Sequence, residues 1–532
     1  MRGLSFAAAS VALLAACGSG GGGSAGGMQQ APLPQTYTST GRAQAGDVFV
    51  PLFEWRWADV ARECEAWLGP KGFKAVQISP PSEHALISGS PWWQRYQTVS
   101  YKLDQSRSGS QAEFVDMVNR CNAVGVGIYA DAVINHMTAG SGVGSAGSSY
   151  TKYNYPAVPW NSGDFHPACG INNYGNASEV QNCELAGLAD LKTEATSVRN
   201  RIADYLIALN AIGVAGFRID AAKHMHPRDV DAIVARVNDA AVAAGRARPY
   251  LFLEVINNPG EAVTAQDYFG VGYASGGASD VTDFIYGYRV SDAFLGRGSA
   301  TLQTLQTLTV PLLPPDKSVV FTDNHDNQRA QNIRYADAAY RNAVIFELAF
   351  PQGYPSLMSS YGFDRGTQSG RDAGPPSNPG GVTQSTFNGS GTTLCTATLG
   401  SVQLNAWVCE HRVPALANMV AFRKATAGVP VSDCGRTTWS INADQNRIAF
   451  CRDGAGFVAL SRSASGGTVV LPTRLPPGTY CDIVAGDYTP AVGVTPASCS
   501  GATVLVGPAP TGNAAITLDS QGAVALHIGA RL

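Results

Sequence analysis

Eight short apolar runs, at residues 47–53, 73–79, 126–135, 214–220, 250–256, 281–286, 318–323 and 354–359, alternate with stretches that read as amphipathic helices. The clearest helix carries Val198, Ile202, Tyr205, Leu206, Leu209 and Ile212 at spacings of three and four, so one face is apolar and packs on a sheet. Strands that alternate with helices assemble into a parallel sheet. Eight of them predict an α/β chain built as a (β/α)8 TIM barrel. That fold confines its chemistry to the C-terminal ends of the strands.

Four strand ends carry reactive side chains: Asp131-Ala132-Val133-Ile134-Asn135-His136, Gly216-Phe217-Arg218-Ile219-Asp220, Glu254-Val255-Ile256 and Asp323-Asn324-His325-Asp326. An aromatic stretch, Trp92-Trp93-Gln94-Arg95-Tyr96, follows the second strand. Three carboxylates therefore converge, Asp220, Glu254 and Asp326. Acetal hydrolysis needs an acid on the leaving oxygen and a carboxylate against the anomeric carbon, and carboxyls about 5 Å apart give retention. The set fits a retaining glycosidase. Arg218 lies two residues before Asp220, so both point to one face, and its charge is expected to keep Asp220 ionised. Glu254 follows Leu251, Phe252 and Leu253, and desolvation there favours the protonated acid.

The rest of the composition narrows the partner. Of 532 residues only 14% are charged, with a net charge of -3 and no basic run, which excludes an electrostatic footprint for nucleic acid. Arg2 and the apolar run 4–16 are too short to span a bilayer and read as a signal peptide, residues 1–16. Leu14-Ala15-Ala16-Cys17 resembles a bacterial lipobox, which makes Cys17 the expected lipidation site and 17–45 a Gly/Ser-rich linker. A plain signal peptide cut near Ala16 is the alternative. The expected location is outside the cytoplasm, secreted or at the cell surface or outer membrane, with membrane contact only through that anchor.

Ten further cysteines, an even number, suit an exported chain with five bridges. Close pairs suggest Cys169–Cys183, Cys395–Cys409, Cys434–Cys451 and Cys481–Cys499, leaving Cys64 for Cys121. A Gly-, Ser-, Asn- and Tyr-rich interval at 137–191 interrupts the barrel and is too long for an ordinary loop, so it is expected to be an inserted domain within a catalytic unit of 46–430. A second irregular stretch spans 364–412. Short alternating runs from 431 to 532 predict a separate antiparallel β domain, a sandwich.

From about residue 47 to the end the chain resembles the α-amylases of glycoside hydrolase family 13, in their animal-type branch. The resemblance rests on Gly216-Phe217-Arg218-Ile219-Asp220-Ala221-Ala222-Lys223-His224, Asp323-Asn324-His325-Asp326-Asn327-Gln328-Arg329 and Trp92-Trp93-Gln94-Arg95-Tyr96-Gln97, in family order. It implies a barrel domain A interrupted by domain B and followed by β domain C. It further implies Asp220 as nucleophile, Glu254 as general acid/base and Asp326 as the carboxylate that helps bind and distort the sugar. His136 and His325 match paired substrate-binding histidines, Tyr96 would stack on the same sugar, and Trp92 and Trp93 extend that platform. Gln97, Lys223 and Tyr174 are implied as further substrate contacts.

The same resemblance implies a structural calcium ion held by Asn135, Asp190 and the main-chain carbonyls of His224 and Gln181. Animal-type enzymes also bind chloride through two arginines and an asparagine. Arg218 and Asn324 match, but Ser356 stands where the second arginine is expected, so no chloride cofactor is expected. The Gly-rich mobile loop after Arg329 is missing, and Ala330-Gln331-Asn332 is expected to run almost directly into a helix. The implied activity is endo-hydrolysis of α-1,4 bonds in starch-like α-glucan by a monomer. The alternatives are a maltooligosaccharide-forming amylase or transglycosylase of the same family, and a starch-binding surface lipoprotein without catalysis.

Overall fold

The computed structural model describes residues 33, 45–308, 312–395 and 399–532. The leader, Cys17 and nearly all of the Gly/Ser-rich linker lie outside the described residues. No helix among those described is long and apolar enough to cross a membrane.

Eight parallel strands form the barrel: β1 (Phe49–Leu52), β2 (Ala75–Ile78), β3 (Gly127–Ala132), β4 (Gly216–Ile219), β5 (Tyr250–Leu253), β6 (Ser279–Thr282), β7 (Ser318–Val320) and β8 (Tyr354–Pro355). They pair in sequence order, and parallel bridges from Phe49 to Ser356 and Leu52 to Ser359 close the ring. The helix Thr196–Ile212 buries Val198, Ile202, Tyr205, Leu206 and Leu209, as its periodicity predicts, and ends at Gly213 with φ 112°. Five strand readings run three or four residues too long at their C-terminal ends: the fifth, seventh and eighth strands stop at Leu253, Val320 and Pro355, and the sixth and third also stop early. The sixth strand stops at Thr282, because Asp283 accepts a hydrogen bond from the Tyr286 amide (3.1 Å) and starts the helix Phe284–Leu295. The third stops at Ala132, three residues before Asn135.

Side chains alternate across each strand, and here the alternation sorts the barrel into layers. Phe217 and Ile219 face the outer helices. Gly216, Arg218 and Asp220 face inward, beside Tyr129 and Asp131 on β3 and Phe252 on β5. At the base of the barrel the rings of Phe49, Tyr129, Tyr250, Phe252 and Tyr354 pack at centroid distances of 4.8–5.9 Å. Gly216 makes that possible: a Cβ there would lie 2.7 Å from the Tyr129 ring and 2.6 Å from the Tyr250 carbonyl. The charged layer sits two residues beyond Tyr129, Gly216 and Phe252, at Asp131, Arg218 and Glu254.

After β3 the chain leaves the barrel. Its exit and return are zipped by an antiparallel pair, Ala189–Asp190 on His136–Met137. All five disulfides form as the spacing suggested. The C-terminal part has a four-stranded antiparallel sheet, Val431–Ser432, Arg447–Arg452, Gly456–Ser461 and Ala523–His527, with Gly467–Pro472, Asn513–Leu518, Gly478–Cys481 and Thr503–Val506 pairing above it. Its two central strands are buried on both faces. Ile448, Phe450, Val458 and Leu460 join the barrel core, while Ala449, Cys451, Phe457 and Ala459 join the core of the β domain. Phe450 meets Phe346 of helix Tyr340–Ala349 at 5.9 Å.

Candidate active site

The inward layer brings Asp131, Arg218, Asp220 and Glu254 onto one guanidinium. Arg218 Nη1 donates to Asp131 Oδ1 (2.7 Å) and Asp220 Oδ1 (2.9 Å), and Nη2 lies 2.6 Å from Glu254 Oε1. The second oxygen of Glu254 accepts from the Ala221 amide at 2.9 Å, so the acid is tied to the residue that follows Asp220. Register explains the convergence: Arg218 pairs with Asp131 and Phe252, and the Glu254 amide donates to the Ile219 carbonyl (3.0 Å).

Sharing one cation changes the electrostatics expected from sequence. Burial and then the charge of Glu254 push the Asp220 carboxyl well above its ordinary range, and Arg218 only partly opposes this. Burial likewise raises Asp131 to about 6 against the pull of Arg218. Arg218 does not simply hold Asp220 ionised, because three acids divide its charge. For Asp220 and Asp131 the crowding of acids on one cation thus works in favour of the protonated form. Asp131 was not singled out from sequence; the available signal was its position two residues after Tyr129, on the inward face.

Tyr96 locks the aromatic segment to this cluster. Its hydroxyl donates to Asp131 Oδ2 (2.9 Å) and accepts from His325 Nε2 (2.9 Å), and its ring stacks on His325 at 5.3 Å. Trp92 meets His325 edge-on at 5.6 Å. Burial, followed by the nearby Arg218, drives His325 well below the usual histidine range, and burial lowers His136 to about 4. Both rings are neutral near pH 7. Asp326 is the most open of the acids, with 38% of its side chain exposed, 3.3 Å from His325 Nε2. Arg329, also not anticipated, stacks over Trp92 (4.7 Å) and donates to the His325 carbonyl and Tyr361 Oη. The chain then turns through residues 330–339 before its helix begins at Tyr340, so the expected direct run into a helix is not found.

A second polar group borders the first. The Lys223 amide donates to the Glu254 carbonyl (3.3 Å), and its Nζ reaches the Ile256 carbonyl (2.7 Å), Glu261 and the face of Tyr174 at 5.0 Å. Glu261 follows an Asn-Asn-Pro-Gly turn and had no sequence signal. Gln97 accepts from the Thr138 hydroxyl at 3.0 Å.

Asn135 and His136 were expected to point to opposite sides of a strand. With the strand ended, their side chains touch instead: Asn135 Nδ2 lies 3.3 Å from His136 Nδ1, and His136 Nε2 donates to the Tyr96 carbonyl (3.1 Å). The Asn135 amide oxygen is thereby turned away. It and Asp190 Oδ1 are buried without a hydrogen-bond partner, a costly arrangement unless something binds there. Asp190 Oδ2 is held by His166 at 2.7 Å, and the Asn135 carbonyl accepts from Leu191 (3.0 Å). Helix Ala177–Asn182, which holds Gln181, docks on His224 through His224 Nδ1 and the Val180 carbonyl (2.9 Å). No three His, Cys, Asp or Glu side chains cluster for a metal among the described residues. The two orphaned side-chain oxygens are hard donors of the kind calcium takes.

Comparison with known proteins fits this geometry. Residues 71–276 match the model of the α-amylase catalytic domain, and 439–529 that of the α-amylase C-terminal all-β domain. The chain is 40% identical to the α-amylase of Pecten maximus (94% of this chain, 96% of that one) and 40% identical to pancreatic α-amylase 2a5 of Mus musculus (93% and 96%). The crystal structure of α-amylase I from Eisenia fetida superposes with a TM-score of 0.80 at 37% identity, covering 93% of this chain and 99% of that one. A mutant of that enzyme in complex with maltohexaose matches equally well. At such identity over nearly the whole length, the chain belongs to the α-amylase family and is a glycoside hydrolase of starch-like α-glucan.

Proposed function

We propose that the protein is a calcium-supported endo-amylase that cleaves internal α-1,4 bonds with retention of configuration. The observation that carries this reading is the double tether of Glu254, to Arg218 and to the amide next to Asp220. It holds the two carboxyls close, in the sense of the shorter spacing that retaining enzymes use. Asp220 attacks the anomeric carbon while Glu254 passes its proton to the leaving oxygen. Glu254 then takes a proton from the water that releases the sugar. Asp326, open to the cleft, and the neutral His325 and His136 hold the sugar hydroxyls, with Tyr96, Trp92 and Trp93 against its ring. Lys223, Tyr174 and Gln97 flank it. The complex of the Eisenia fetida enzyme mutant with maltohexaose supports a linear oligosaccharide as the occupant.

Calcium would be held by Asn135, Asp190 and the carbonyls of Gln181 and His224, and would supply charge that clamps the inserted segment 137–191 to the barrel. Within the same proposal, 46–430 form the catalytic unit, 431–532 the C-terminal β domain, and the protein is an exported monomer anchored through Cys17. Five disulfides support export. Chloride is not needed, since Arg218 is already occupied by three carboxylates and Ser356 supplies no second cation; a several-fold stimulation by chloride would refute this.

Product analysis on soluble starch tests the whole. Mixed oligosaccharides released in the α-anomeric form are expected, and Glu254→Gln should cut kcat at least about 10³-fold while glucan binding stays measurable. A single dominant oligosaccharide would favour a maltooligosaccharide-forming enzyme.

A further inference from the structure

At the end of β1 the backbone of Glu54 turns into the left-handed region, φ 67°, which side chains other than glycine rarely adopt. The turn sends its carboxylate into a fully buried place. Arg95 Nη1 donates to Glu54 Oε2 (2.9 Å) and Ser108 Oγ (2.7 Å), and Nη2 donates to the Pro80 carbonyl (2.6 Å). Glu54 and Arg95 are both 0% exposed. Arg107 approaches the same carboxylate from the other side, with Nε 3.8 Å from Oε2, and donates to the Ser90 carbonyl (3.1 Å) and Ser377 Oγ (2.7 Å).

Arg95 lies within the short helix Trp92–Tyr96, and Ser90 lies just before it. One carboxylate therefore ties down both ends of the aromatic segment, through two guanidiniums. Burying such a cluster costs more than an apolar contact of the same volume, and a fixed register is the best-attested return. Tyr96 is pinned by hydrogen bonds to Asp131 and His325, whereas the Trp92 ring is held by packing against Phe53, His325 and Arg329, so the height of its backbone rests on this cluster.

We propose that Glu54 is a positioning residue for the glucan: through Arg95 and Arg107 it sets the height of the Trp92 end of the platform above the sugar. This rests on the reading of Trp92–Tyr96 as a sugar platform. No atom of Glu54 touches the reacting groups. Glu54→Gln keeps the shape and removes the charge. It should raise KM for maltoheptaose about fivefold, the worth of one aromatic contact, with kcat changed less than twofold, a loss of uniform binding.

Trp92→Ala serves as the reference for the platform itself. If Trp92→Ala raises KM and folded Glu54→Gln does not, or if Glu54→Gln lowers kcat alone, the proposal is overturned. If Trp92→Ala also leaves KM unchanged, the platform reading fails instead. Should Glu54→Gln not fold, Arg95→Lys decides by the same KM criterion: it keeps the buried charge but cannot reach Glu54, Ser108 and Pro80 together.

Discussion

Glu347 offers a quantitative check on the interior of the barrel. It projects from helix Tyr340–Ala349 and is 1% exposed. Its Oε2 accepts from the Thr322 amide (2.7 Å) and hydroxyl (2.6 Å), directly behind the turn that carries His325 and Asp326. Burial raises this carboxyl to about 8, against the opposing pull of Thr322 and Arg423. Below pH 4.5 both folded and unfolded chains hold the proton. Between pH 4.5 and about 8 the unfolded chain releases it and the folded one keeps it, so stability falls as pH rises through that window. The full penalty has a ceiling of about 5 kcal/mol at 1.36 kcal/mol per unit. Glu347→Gln preserves an acceptor for Thr322 and removes the titration. Melting should therefore be nearly equal for the two proteins at pH 4.5, while at pH 8.5 the variant should melt higher by roughly 5 °C, calcium being held constant. Any fixed difference between them, the same at both pH values, would refute the reasoning.

Two further outcomes follow from the site. Asn135→Ala removes one of the two orphaned oxygens, so it should lower the melting temperature in calcium but not in excess chelator, where wild type and variant should coincide; a deficit that persists in chelator would argue for a role in packing alone. Asp131→Asn removes a negative neighbour that helps raise Asp220, so the acid limb of the kcat/KM profile should move to lower pH, and an upward shift would contradict the shared-cation picture.

Much of this was legible because period-two alternation is a strong signal in a barrel strand. Gly216, Arg218 and Asp220 could be put on one face from sequence, and the motif order fixed which strand ends meet. What stayed hidden depended on where strands stop. Asn135 and His136 were misplaced because the strand ends at Ala132, and Asp283 stops β6 by capping a helix, a choice made by one side chain. Glu54, Glu261 and His166 acquire their roles only through partners at least 24 residues away in the chain, which local pattern cannot reveal. The electrostatic misreading of Asp220 has the same origin, since pairing Arg218 with its neighbour in sequence ignored the two acids brought in by β3 and β5.

The two-faced strands Arg447–Arg452 and Gly456–Ser461 bear on how modular this enzyme is. A chain truncated near residue 430 would lose Ile448, Phe450, Val458 and Leu460 from the barrel side and present a new apolar surface to water. The β domain is thus a wall of the catalytic unit rather than an appendage, and it could be exchanged only for one that reproduces that inner face.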